Sequence, residues 1–177
     1  MVISVKKYFR LFWFFALILD FPLPAQAEVE EETHIDPAIV APLMVWVENE
    51  LGVKVPVLPQ VIASRDRFDR VLRRMGGGFA GRPQSAYVPG VVLMDNLTWD
   101  PEESTQLSLL VHELVHHAQM FMPNKAWACP QAKETQAYTL QNRWLEQKGH
   151  SPFVNVAWIA RVSSCPERPA VSLLAQN

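Results

Sequence analysis

The sequence predicts one α+β domain preceded by an export signal. Three observations carry that reading. A leader of 27 residues leaves 150 of the 177 (177 minus 27), enough for one self-supporting core. Several segments place apolar residues at helical spacing between clear start and stop residues. Two stretches of strand composition lie among them.

The leader comes first. Lys6, Lys7 and Arg10 make a basic n-region, Leu11 to Leu19 an unbroken apolar run, and Ala25-Gln26-Ala27 a site that a signal peptidase accepts. That run falls well short of the roughly 20 apolar residues that cross a bilayer. Cleavage after Ala27 is therefore expected, with no lasting membrane anchor and a periplasmic or secreted destination. Removing the leader takes 3 of 16 basic and 1 of 18 acidic residues, so the charge moves from -2 to -4 (13 against 17). That mild acidity argues against a nucleic-acid partner. Cys129 and Cys165 are an even count in an oxidising compartment and are expected to form one disulfide. The expected assembly is a monomer.

Asp36-Pro37 reads as a cap followed by proline at the first helical position, opening a helix through Val40, Leu43, Met44, Val47 and Leu51 that stops at Gly52. Val53 to Ile62 is β-branched but broken by Pro56 and Pro59, which suits an edge strand at best. Ser64 caps a short helix with Phe68, Val71, Leu72 and Met75 at helical spacing, ended by Gly76-Gly77-Gly78. Its five arginines, Arg65, Arg67, Arg70, Arg73 and Arg74, read as a solvated face partly neutralised by Asp66 and Asp69. Ser85 to Asp95 has strand composition, with Pro89-Gly90 either a bulge or a tight turn.

Asp100-Pro101-Glu102-Glu103 signals a helix from about Pro101 to Met122, and a further helix is expected from about Gln131 to Lys148, stopped at Gly149. Phe153 to Val162 is apolar and fits a helix or a strand equally.

The chemistry lies in the first of these two helices. Val111-His112-Glu113-Leu114-Val115-His116 carries the pattern HExxH. Residues i and i+4 share one helix face, so the two imidazoles converge on one ion at about 2.0 to 2.1 Å. Glu113 projects close to the same side, near enough to handle the proton of an attacking water without being a ligand. A chain of this composition produces the pattern by accident on the order of once in a hundred times. A catalytic zinc site takes a third protein ligand. The extended pattern with Gly at 119 and His at 122 is absent, since these are Gln119 and Met122. Glu134, the first acid after the motif, is the leading third ligand, with Glu146, His150 or a nonprotein group as the alternatives. Gln119 and Gln141 are candidates to hydrogen-bond the ligands, and His117 sits about 100° around the helix from His116. Trp99, Trp127 and Trp144 line a cleft or fill the core.

HELVHHAQ followed by ETQAYTLQNRWL, within Leu107 to Leu145, resembles the gluzincin clan of zinc peptidases, in particular minimal single-domain gluzincins and small exported bacterial zincin-like proteins. A looser resemblance extends upstream to Tyr87 to Asp95. The resemblance implies an α+β zincin-like fold with His112, His116 and Glu134 as zinc ligands and Glu113 as general base and acid. It also implies that the strand Val91, Val92, Leu93 and Met94 is the sheet edge above the cleft and pairs with substrate. Larger gluzincins stabilise the oxyanion from a further C-terminal subdomain. Here Tyr138, Tyr87 and His150 are the candidates for that role or for support of the ligands.

The expected function is zinc-dependent hydrolysis of an amide bond in a peptide, protein or cell-wall substrate. A catalytically idle, zinc-stabilised peptide-binding module is the alternative, and an anion-binding protein using the arginine helix is a third.

Overall fold

A computed structural model describes residues 32–74, 76, 83–123 and 126–166. The expected leader, and Met75, Gly77 and Gly78 of the second helix and its stop, lie outside them.

The elements follow from local signals. After a two-residue strand β1, Thr33–His34, helix α1 spans Pro37–Leu51, with Asp36 accepting from the Ala38 amide at 2.8 Å. Such a cap contributes about 1 kcal/mol. The helix ends where Gly52 adopts φ 63°, a left-handed conformation that costs other residues a steric penalty. Its inner face, Val40, Met44 and Val47, is buried, each side chain contributing about 1.5 to 3 kcal/mol.

Strand β2 is Gln60–Ala63 and helix α2 Arg65–Arg74, with the Ser64 hydroxyl accepting from the Arg67 amide. Strands β3, Ser85–Val88, and β4, Val91–Met94, form a hairpin about Pro89-Gly90. Gly90 has φ 82°, which suits a two-residue turn with proline first and glycine second.

The sheet order is β1-β2-β4-β3, with β2 and β4 parallel and the outer pairs antiparallel. Alternation splits the strands cleanly. Val61, Ala63, Val92 and Met94 enter the main core with α1 and helices α3 (Ser104–Gln119) and α4 (Glu134–Gln147). Ile62, Ala86 and Leu93 turn to the other face and pack on Phe68, Val71 and Leu72 of α2. The sheet is thus covered on both sides, and α3 lies against β3 along the outer edge.

Several sequence expectations are corrected. The stretch Val53 to Ile62 yields only β2, because Pro56 and Pro59 remove the amide donors a ladder needs. Far from being an edge, β2 is flanked by β1 and β4. Val91–Met94 is likewise interior, with β2 on one side and β3 on the other, so its backbone groups are committed to the sheet. The outer strand beside α3 is β3.

Helix α3 begins at Ser104, three residues after the expected start. The Glu103 carboxylate accepts from the Thr105 and Gln106 amides, while Asp100 closes the turn before it by accepting from Glu102 N. It ends at Gln119, before the expected Met122. The following helix starts as a 3-10 turn, Pro130–Lys133, and becomes α-helical at Glu134. Phe153 to Val162 resolves into α5, Val156–Val162, capped by the Asn155 side chain. Cys129 and Cys165 form a disulfide. Among the described residues no helix is long and apolar enough to cross a membrane.

Candidate metal centre

Helices α3 and α4 pack closely, which delivers His112, His116 and Glu134 to one point. The Nε2 atoms of the two histidines stand 3.2 Å apart, and the Glu134 oxygens lie 3.2 Å from His112 Nε2 and 3.3 Å from His116 Nε2. Donor atoms at about 2.0 to 2.1 Å from a tetrahedral ion are separated by about 3.3 to 3.4 Å. The three contacts are of that size, with Glu134 meeting His112 through Oε2 and His116 through Oε1. Two imidazoles and one carboxylate also make a donor set that suits zinc. Exposure rises from His112 through His116 to Glu134, with side chains 9%, 14% and 29% accessible, so the site opens on the Glu134 side.

Two glutamines fix the imidazoles, each reaching across the helix pair. Gln119, on α3, accepts from His116 Nδ1 at 3.0 Å and donates to Lys133 O and Gln136 Oε1 beside α4's first turn. Gln141, on α4 and fully buried, faces His112 Nδ1 at 3.1 Å and donates to Ser108 Oγ on α3. Ser108 in turn donates to Thr105 O. Because each amide nitrogen is committed elsewhere, each amide oxygen must accept, so Nδ1 carries the proton and Nε2 offers its lone pair.

The electrostatics agree with a cation site. Burial pushes the Glu134 carboxyl up, but hydrogen bonds from His112 and His116 outweigh it and hold the group well below the usual carboxylate range. Burial likewise pushes His116 down, while Glu134, the charge of Glu113 and Gln119 outweigh it and raise this histidine. A proton and a metal ion compete for the same nitrogen lone pair.

Glu113 is buried on the same helix, and its Oε1 accepts from Ser85 Oγ of β3 at 2.7 Å. The Tyr138 ring lies 4.3 Å from the His112 ring, edge to face. Burial, then the charges of Glu134 and Glu113, raise the phenol, which keeps it a hydrogen-bond donor at neutral pH.

The remaining candidates lie elsewhere. The Tyr87 hydroxyl is bonded to His117 Nδ1 at 3.2 Å and accepts from the Gly90 amide. His117 Nε2 meets Val57 O at 2.8 Å and must donate to it, so its Nδ1 accepts from Tyr87. Tyr87 thus supports a buried structural histidine and does not face the ligands. His150 is exposed and interacts with Glu103 at the start of α3, nine residues before His112 or about 13 Å of helix. Glu146, also exposed, is twelve residues along α4 from Glu134, about 18 Å away. Trp144 is in the core, Trp99 packs against it, and Trp127 lines a groove between α1 and the outer face of α4. Sequence reasoning missed Ser85 and Ser108. Ser85 meets Glu113 across 28 residues of chain, a contact no local pattern signals. Ser108 stands one helical turn before His112, a spacing at which it was visible but ambiguous.

An α+β domain with a His-His-Glu cluster on two packed helices defines a candidate metal-binding protein. The chain belongs to a family defined as a domain of unknown function, DUF6647, whose model matches residues 32–170. No curated protein and no solved structure matches it.

Proposed function

We propose that this protein is a zinc-dependent hydrolase of the gluzincin kind, exported and monomeric, that cleaves an amide bond in a peptide, protein or cell-wall substrate. The observation that carries the reading is Glu113. A site that only held helices together gains nothing from a buried carboxylate beside the ligands with one oxygen fixed by Ser85.

His112, His116 and Glu134 hold the ion, which when bound supplies Lewis acidity toward a water molecule and toward the substrate carbonyl. Glu113 takes the proton of the attacking water and returns it to the leaving amine. Tyr138, whose ring lies beside His112, is the donor we assign to the oxyanion. The substrate chain pairs with β3, the outer strand, in place of Val91–Met94. The disulfide supports an oxidising compartment.

The experiment compares metal content and peptide cleavage for the chain without its leader and for Glu113→Gln. Zinc in both with turnover only in the first is the expected result. Zinc in both with turnover in neither indicates the idle binding module, and no zinc in either ends the proposal.

A further inference from the structure

We propose that the exposed apolar ledge of Val57 and Leu58 with Met120 and Phe121 reads the substrate, and that the substrate is an extended peptide with a large apolar side chain near the scissile bond. This rests on the hydrolase reading above.

The first observation is clustering. Among the described residues eight large apolar side chains are exposed, and four of them, at 66%, 38%, 54% and 37%, lie on two short segments, Val57-Leu58 and Met120-Phe121, that both meet His117. Val57 O meets His117 Nε2, and the Phe121 ring stands 5.3 Å from the His117 ring. Contiguous exposed apolar surface marks an interaction site, whereas scattered single residues do not.

The second is rigidity. The loop carrying Val57 is pinned by Val55 N to Glu48 Oε1 at 2.6 Å, by Val57 O at His117, and by Gln60 N to Gly90 O at 2.9 Å. Pro56 and Pro59 fix two further dihedrals. A loop so held cannot fold its apolar side chains inward, so their exposure is imposed by the fold and their contact with a ligand costs little ordering.

The third is position. Met120 keeps helical dihedrals (φ -67°, ψ -23°) four residues after His116, so it projects from the ligand-bearing side of the helix one turn beyond the site. The histidine that anchors the ledge also bonds Tyr87 of β3, and Ser85, two residues earlier on that strand, holds Glu113. An extended chain laid along β3 from Ser85 to Tyr87 therefore runs from Glu113 toward the histidine that anchors the ledge. Neither Pro56 to Pro59 nor Met120 to Pro123 contains a charged residue, so an apolar side chain is the one this surface complements.

The test measures binding to the zinc-loaded Glu113→Gln chain by fluorescence polarisation, using labelled nonapeptides with either leucine and phenylalanine or two serines at the centre. The apolar peptide should bind about ten- to a hundredfold more tightly. Val57→Glu and Met120→Glu should each abolish that preference at unchanged zinc content, while Phe153→Glu, an exposed apolar residue elsewhere, should keep it. Equal binding of the two peptides, or a preference that survives both ledge variants, overturns the proposal. So does a dimer, seen by sedimentation, that the ledge variants dissociate without altering peptide binding. A ledge-dependent preference in a protein whose wild-type form cleaves nothing supports the ledge and sinks the hydrolase reading alone.

Discussion

Replacing Gln141 by leucine tests whether the ligands are oriented by the glutamines. The side chain is fully buried and makes two contacts of 3.1 Å, to His112 Nδ1 and Ser108 Oγ. Leucine has similar volume, so the cavity left is small. What is lost is the acceptor for a ring N–H in a residue only 7% exposed. An unsatisfied buried donor costs about 1 to 3 kcal/mol. Ser108 is affected less, because it still donates to Thr105 O. For a domain of this size each kcal/mol lowers Tm by about 2 to 4 °C, so the metal-free variant should melt about 2 to 12 °C lower. Zinc affinity should fall about ten- to a hundredfold, as it does when a ligand histidine loses its orienting partner. Thermal unfolding in chelator gives the first number, and competition with a fluorescent zinc chelator the second. A variant that is destabilised yet binds zinc within twofold of wild type refutes the orienting role.

Other outcomes follow from the same contacts. Glu134→Ala should leave a folded chain but remove most of the stabilisation by zinc, which for the parent reaches about 4 kcal/mol at a thousandfold excess over Kd; melting with and without zinc reads it. Serine at Cys129 and Cys165 opens a loop spanning 36 positions, a loss of about 4 kcal/mol by the chain-entropy relation, measurable in urea. Zinc binding should weaken too, because Cys129 lies five residues before Glu134, immediately ahead of the 3-10 turn that leads into it. Glu103→Ala should cost about 0.5 to 1 kcal/mol at pH 7 through loss of the α3 cap. Burial pushes Glu103 up, but hydrogen bonds from Thr105 and Gln106 lower it overall, so the cap's contribution is full above the ordinary carboxylate value. It disappears as pH falls through the lowered value, and denaturation of variant and parent should converge in acid.

Helix positions were legible where a cap or a stop stood in the sequence, as at Asp36, Gly52, Ser64 and Gly149. Glu103 misled because Asp100-Pro101 is an equally good start, and only the competition between two capping carboxylates decides. The His-His-Glu cluster was legible because helical spacing fixes His112 against His116, and Glu134 was read from order along the chain. Strand order was not. The resemblance alone makes Val91–Met94 an edge, whereas its pairing with β2 depends on where α2 returns the chain. The surroundings of Tyr87 and His150 were illegible for the same reason, since their partners, His117 and Glu103, are set by packing between distant segments.

The hairpin turn carries an evolutionary consequence. Ser85 and Tyr87 point to the same side of β3, one to Glu113 and the other to His117. Adding or deleting one residue at Pro89-Gly90 would shift β3 against β4 and turn both side chains to the α2 side of the sheet. Surface loops ordinarily absorb insertions. This one acts as a vernier between the sheet and α3, so relatives that keep both contacts must also keep its length.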